Sequence, residues 1–385
     1  MEPEAKEQKI ELHDPQNGNS AVQTSPAAPP AGAPQAATSA AEPNRALDLK
    51  FTGTAGEYFR IWIVNMFLSI VTLGIYAAWA KVRTRRYFYT HTVMDGQPFE
   101  YHAKPGAILK GHLIIGFFFL IYSLGSYIHM SIPFVVFGLF LVAFPFLAYQ
   151  SLRFFAFNSS YRNVRFKFRG TLQEAYGIYL GLLFAVLTTS GILAPYMLYR
   201  MRKYFYDNMS FGNADNHFAG KPGRFYWYSF QTLCVGLAFL ALLIGGGIFV
   251  YYNSLWADFF EYDIGLFAFF LIYLFVLSGF ALVNQFFVVR ITNYCWEMNQ
   301  SEFVTFLSRL TVPKFLFIKI TNILAIVFSV GLAIPWAKVR KTQYIIACLS
   351  VTAKRSLDDF GAGTDSETAA IGDAAADIFN FDVGL

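Results

Sequence analysis

Five apolar stretches of this chain carry no lysine or arginine: residues 61–80, 111–152, 170–199, 225–289 and 320–337. A membrane-spanning helix needs about 20 apolar residues, so 111–152 and 225–289 each predict two spans. Their turns fall near His129–Pro133 and near Asn253–Asp263. The second turn holds Asp258, Glu261 and Asp263 and no base. Both turns are therefore expected outside, since basic residues collect on the cytoplasmic side.

The three shorter stretches share a pattern. Thr72-Leu-Gly-Ile-Tyr-Ala-Ala-Trp79-Ala-Lys81-Val-Arg83 returns as Gly331-Leu-Ala-Ile-Pro-Trp336-Ala-Lys338-Val-Arg340. A weaker copy, Thr189-Ser-Gly191-Ile-Leu-Ala-Pro195-Tyr-Met-Leu-Tyr-Arg200, lies between them. Each copy predicts a helix, a break at Gly74, Gly191 or Gly331, and a new helix. Pro195 and Pro335 fall in the first turn of that helix, where proline is tolerated, and Ala78 takes the place in the first copy. If all three segments crossed the bilayer, Lys and Arg would divide almost evenly between its two sides. If they enter and return, every base lies on the cytoplasmic side. The charge pattern favours re-entrant or interfacial segments at three places beside four firm spans. The competing topology has seven crossings and inverted repeats, as in many transporters.

Leu47–Gly53 and Val164–Gly170 alternate apolar and polar residues and predict short strands. Glu57 and Glu174 follow at matching places, where an acid suits the start of a helix. Pro98–Tyr101 and Phe211–Phe218 are further strand candidates. Lys104-Pro-Gly106 and Lys221-Pro-Gly223 each precede a two-span hairpin. The expected architecture is an all-α polytopic membrane protein with internal repeats, three broken-helix segments and two transmembrane hairpins, plus a small cytoplasmic β-sheet. Its parts are a disordered Ala/Pro-rich cytoplasmic tail (1–45), unit 1 (46–162), unit 2 (163–300), unit 3 with a broken segment only (301–355), and an acidic tail (356–385). The end of that tail, 377–385, alternates apolar residues and predicts a docking strand.

Composition agrees with a membrane protein. Hydrophobic residues make up 55% and charged residues 14% of the sequence, too apolar for a soluble domain. The +5 net charge hugs the hydrophobic segments, so no nucleic-acid partner is expected. Cys234, Cys295 and Cys348 are scattered singly, and the six histidines show no metal-ligand spacing, so no metal or cofactor is expected.

Phe51-Thr-Gly53, Glu57-Tyr-Phe59, Asn65, Thr72–Tyr76, Trp79–Arg83, Tyr87 and the ending Phe379–Leu385 resemble the YjgN-like family of bacterial inner-membrane proteins. The resemblance covers roughly 47–385. It implies the bacterial inner membrane and a multi-pass topology, but no activity, because the family's function is unknown. The second copy departs from the pattern, with Tyr196 and Leu198 where the others carry Trp and Lys.

Two sets of residues are candidates for chemistry. Asn65 and Asn322 lie nine positions before their glycines, and Thr72, Thr189 and Ser329 two positions before. Polar groups at membrane depth mark pathways, or they bond between helices and tie off groups freed at a break. Arg83, Arg200 and Arg340 each stand four residues before Tyr87, Tyr204 and Tyr344, on one helix face. With Lys81 and Lys338 they predict a site for an anionic lipid headgroup or ligand; the bland alternative is an interfacial belt. No nucleophile motif or paired intramembrane carboxylates suggest an enzyme. The functional expectation is transport or channelling of a small solute or lipid. The alternative is a non-transporting membrane module that binds anionic lipid or a partner protein.

Overall fold

A computed structural model describes residues 45–252 and 265–354. Its helices come in pairs, and each pair starts and ends on neighbouring strands. The first is β2 (Leu49–Phe51), α1 (Ala55–Val71), α2 (Ala77–His91) and β3 (Thr92–Met94). Next come β4 (Gln97–Tyr101), α3 (Pro105–Ile128), α4 (Ile132–Asn158) and β5 (Ser159–Tyr161). The third runs from β6 (Val164–Phe168) through α5 (Leu172–Thr188) and α6 (Ala194–Asn208) to β7 (Met209–Phe211). The fourth joins β8 (Asn216–Phe218), α7 (Pro222–Tyr252), α8 (Gly265–Glu297) and β9 (Asn299–Ser301). The fifth is β10 (Val304–Ser308), α9 (Val312–Phe328), α10 (Ile334–Ala347) and β11 (Leu349–Ala353).

Antiparallel bonding joins the strand into each pair to the strand out of it. Phe51 sits opposite Thr92, Tyr101 opposite Ser159, Phe168 opposite Met209, Phe218 opposite Asn299, and Ser308 opposite Leu349. Every helix pair therefore leaves the strand layer and comes back to it. The strands form a six-stranded sheet, β2 to β7 in chain order, and a five-stranded sheet ordered β1-β11-β10-β9-β8. In the second sheet β1 (Arg45–Leu47) lies on the last strand, with Leu47 opposite Val351. Only Asp48 separates β1 from β2, and the turn after Phe211 leads from β7 to β8, so the two sheets meet at both edges. The helices follow the same circuit: α2 packs on α3, α4 on α5, α6 on α7, α8 on α9, and α10 closes on α1.

The expected strand 47–53 is thus two short strands that change partners at Asp48. Strands β3, β5, β9, β10 and β11 were not expected. The three-residue ones are too short to show alternation, and their pairing is supplied by distant chain. The tail through residue 44, the turn at 253–264 and the acidic tail with its docking strand lie outside the described residues.

The pairs differ in length for a local reason. Thr54 caps α1 by accepting from the Glu57 amide while Glu57 reaches back to Thr54, and Thr171 and Glu174 repeat this at α5. The glycine breaks then reverse the chain. Leu73, Ser190 and Val330 have φ of 50°, 51° and 52°, and Gly74, Gly191 and Gly331 have 89°, 89° and 90°. In each turn the glycine amide bonds a carbonyl five residues back, at 2.7–2.8 Å. Helices α1, α2, α6, α9 and α10 hold 14–17 residues, about 21–26 Å at the α-helical rise. That is short of a hydrocarbon core of about 30 Å. Helices α3, α4 and α7, with 24, 27 and 31 residues, exceed it. Pro105–Ile128, Ile132–Asn158 and Pro222–Phe249 are long and apolar enough to cross a membrane, and almost none of their apolar surface is buried.

The turn glycines give a stability prediction. A Cβ at Gly74 would meet nothing within 4 Å, so the cost of Gly74→Ala is its backbone conformation alone. The variant is expected to lose about 1–2 kcal/mol in thermal unfolding of the purified protein. Gly106→Ala, equally open but without positive φ, is expected to lose none.

Candidate functional site

The inner faces of both sheets and the inner sides of the helices line a partly open chamber of about 650 Å³, within the roughly 300–1,000 Å³ of small-molecule sites. Leu49, Met94 and Phe99 from the first sheet and Val304, Phe306 and Val351 from the second line it. Their packing also makes one apolar cluster with Leu47, Tyr161, Phe166 and Trp296. Above the strands, Tyr58, Trp62 and Phe88 come from the first helix pair, Phe205 and Tyr206 from the third, and Trp296 from the fourth. Trp296 packs on Phe306 at 5.1 Å between ring centroids and on Tyr206 at 6.3 Å, the range of favourable aromatic pairs.

Polar side chains enter this wall from several elements. On α2, Lys81, Thr84, Arg85 and Phe88 line the chamber at helical spacing, and on α10 Lys338 and Thr342 do the same one turn apart. The Lys338 ammonium lies 4.9 Å from the Phe88 ring centroid and 5.9 Å from that of Tyr58, a cation–π arrangement. Arg85 Nη1 donates to the Tyr101 hydroxyl at 2.9 Å. Asn65 and Asn299, each 4% exposed, also line the chamber. The Oδ1 atoms of both accept no hydrogen bond from the protein.

The anticipated site residues separate into several places. Asn65 and Asn322 both brace a helix pair: Asn65 Nδ2 donates to the Ala80 carbonyl at 3.4 Å, and Asn322 Nδ2 to the Ala337 carbonyl at 3.0 Å. Only Asn65 lines the chamber. Asn322 Oδ1 instead accepts from Arg340 at 3.2 Å. Thr72 Oγ1 donates to the Leu68 carbonyl at 2.7 Å and accepts from the Tyr76 amide at 2.9 Å. Thr189 and Ser329 repeat this in their own turns, with Leu193 and Ala333 as donors. These hydroxyls satisfy backbone groups at the reversal, the packing role weighed against a pathway.

The tyrosines clamp each short pair at its strand end. The Tyr87 hydroxyl takes the Thr54 amide and gives its proton to the Thr54 carbonyl, both at 2.9 Å. Tyr204 donates to the Thr171 carbonyl at 2.9 Å, and Tyr344 accepts from the Thr311 amide at 3.1 Å. The arginines part company with them. Arg83 is exposed and Arg200 half-buried, while Arg340 bonds Thr321 at 2.6 Å and stands 5.0 Å over the Trp336 ring. Of the breaks, Gly74, Gly191 and Gly331 occupy the turns, and Pro195 and Pro335 the first turns of α6 and α10. Lys81 and Lys338 do come together on one chamber. Arg85 and Asn299 were missed. Helical phase alone could have found Arg85, four residues after Lys81, whereas Asn299 arrives on a strand placed by remote pairing.

The tyrosine clamp gives the second prediction. Tyr344→Phe leaves the Thr311 amide without its acceptor and is expected to lose about 1–3 kcal/mol in thermal unfolding. Arg83→Ala, on an exposed side chain, should stay within about 0.5 kcal/mol of the parent.

A family model described as "Bacterial protein of unknown function (DUF898)" matches residues 46–378. The chain is similar to "Inner membrane protein YjgN" of Salmonella typhimurium (strain LT2), 40% identical over 132 residues that make up 33% of each chain. It is also similar to the proteins of that name from Escherichia coli O157:H7, 33% identical over 35% of each chain, and from strain K12, 34% identical over 32% of this chain and 31% of the relative. The chain thus aligns with about a third of the length of these curated relatives. No solved structure matches it.

Proposed function

Because the chain belongs to the family of bacterial proteins of unknown function DUF898, and three relatives are named inner membrane proteins, we propose a multi-pass inner-membrane protein that takes a small solute or lipid into its central chamber for transport. The observation that carries this reading is the chamber itself, partly open, with all five strand–helix-pair units contributing to its wall and lined mainly by aromatic and aliphatic side chains. In this reading the units around the ring are internal repeats of one strand–helix-pair element. The matching turn geometries and the shared tyrosine clamps support that. The two long pairs cross the bilayer. The three short ones dip into one leaflet, tipped by Leu73, Ile192 and Val330, which are 95%, 71% and 92% exposed. The strand ring and both termini lie in the cytoplasm, because every helix pair returns to the strands and the Lys and Arg residues cluster at that end.

Topology is tested with single cysteines at Gln97, exposed at the start of β4, and Asn213, exposed in the turn after β7, in a background lacking Cys234, Cys295 and Cys348. Neither is expected to react with a membrane-impermeant thiol reagent on intact cells, and both should react once the membrane is opened. Reaction of one alone would mean that a short pair crosses.

The chamber is tested in proteoliposomes with a neutral photoactivatable probe, a diazirine-bearing monoacylglycerol. Adducts are expected on Trp62, Phe88 and Phe306, reduced at least fivefold by Ser69→Trp, which fills the chamber, while adducts on the outward-facing Phe117 stay unchanged. Adducts confined to outward faces would overturn the chamber. Movement of the probe between leaflets, lost in Ser69→Trp, is expected of a transporter. Chamber labelling without movement would assign the non-transporting module instead.

A further inference from the structure

The turns at the ends of the short pairs carry side chains that the fold itself does not use. Leu73 and Val330 hold φ of 50° and 52°, a left-handed conformation that suits glycine or asparagine better than an apolar L-residue. For the β-branched Val330 it is an outlier. Both side chains are almost fully exposed. A Cβ on Gly74 or Gly191 would meet nothing within 4 Å, so these turns stand clear of the rest of the chain. The third pair has Ser190 at the same place with φ of 51°, which shows that the turn does not require an apolar residue there. Its apolar tip comes from Leu187 and Ile192 instead, both exposed. Neither backbone conformation nor packing accounts for these tips, and an apolar surrounding does.

Depth follows from the charged residues. On α1 the last lysine or arginine before the turn is Arg60, and on α9 it is Lys319. Leu73 and Val330 lie thirteen and eleven positions further on, about 16–20 Å at the α-helical rise. A hydrocarbon core of about 30 Å is then entered to little more than its middle. With the placement given above, the leaflet beside the strands makes room for all ten helices, and the far leaflet only for the four of the long pairs. The short pairs also flank the long ones on both sides. The third stands between them, and the first and fifth pack together across the circuit. The cross-section is therefore wider in one leaflet than in the other, and apolar elements inserted into a single leaflet bind membranes in a curvature-dependent way.

We propose that the three short pairs act as a wedge in the leaflet beside the strand layer, so that the protein collects where the membrane is convex toward that layer. The partner is the bilayer itself, met through lipid acyl chains at Leu73, Ile192 and Val330. This rests on the placement of the short pairs proposed above and adds to it a preference for membrane shape. It requires no particular headgroup and no occupant of the chamber.

The test uses the full chain in giant phosphatidylcholine vesicles from which narrow tubes are pulled outward. A single cysteine, Asn213→Cys in the background without the native ones, is labelled from outside with an impermeant dye, which marks only molecules whose strand layer faces out. These are expected to be at least twofold denser on the tube than on the vesicle. Molecules of the opposite orientation, seen by labelling before reconstitution and quenching from outside, are expected to be at least twofold sparser there. Enrichment that ignores orientation would overturn the wedge. The triple variant Leu73→Asp, Ile192→Asp and Val330→Asp is expected to bring both ratios close to one. Leu73→Asn with Val330→Asn, which suits the turn conformation and so keeps the fold, should at least halve the excess. Enrichment unchanged in the asparagine variant would overturn the role of the tips. Placement is read separately, from a dye on Val330→Cys. Lipid spin-labelled deep in its acyl chain is expected to quench that dye at least threefold more than lipid spin-labelled on its headgroup. Deep quenching with equal density on tube and vesicle would overturn the wedge and leave the short pairs in their leaflet. Quenching from the headgroup alone would instead remove the placement on which the proposal rests.

Discussion

Backbone hydrogen bonding between the strand that leads into a helix pair and the strand that leads out of it sets the layout of this protein. Each helix has its own ladder of bonds and needs nothing from its neighbours on that account. The short strands do, because three to five residues of extended chain have unsatisfied amides and carbonyls on both sides. Pairing β2 through β7 each with the next, β8 through β11 likewise, and β1 with β11 satisfies them within two sheets. One consequence is geometric: with entry and exit side by side, every helix pair must return to the layer it left. The other is the chamber, since a circuit of strands and helices has an inside.

The short pairs show how local chemistry is fitted to that constraint. A threonine ends the strand and starts the helix, and the tyrosine of the returning helix bonds the backbone of the same threonine. Thr54 and Thr171 thus cap one helix and dock the other, while Thr311 makes no side-chain cap and only docks. At the far end, a positive-φ glycine reverses the chain and a hydroxyl two residues earlier takes up the freed amide. The polar residues at these positions are spent on the backbone. Asn65 is the exception. Its brace is the same as that of Asn322, but its Oδ1 is buried and accepts no hydrogen bond from the protein.

Recurrence of sequence and difference of role coexist here. Three copies of one turn produce the same backbone, while the side chains after the turn diverge. Lys81 and Lys338 reach the chamber, Leu198 does not, and Arg340 is bound locally where Arg83 is exposed.

Sequence alone determined the apolar segments, the long pairs, the glycine breaks and the capped helix starts at Glu57 and Glu174, because each depends on residues close together in the chain. It also marked Lys81 and Lys338, through their place in the recurring pattern. What only the tertiary structure decided was pairing at a distance: that Leu47 meets Val351, that residues 349–353 are a strand at all, and that Tyr87 serves Thr54 and does not join Arg83 in one site. The physical reason is that a three-residue strand has too few side chains to show a period, and a hydrogen bond across some 300 residues leaves no local trace. The chamber belongs to that second class. Its lining comes from almost every element of the ring, and no window of sequence contains it.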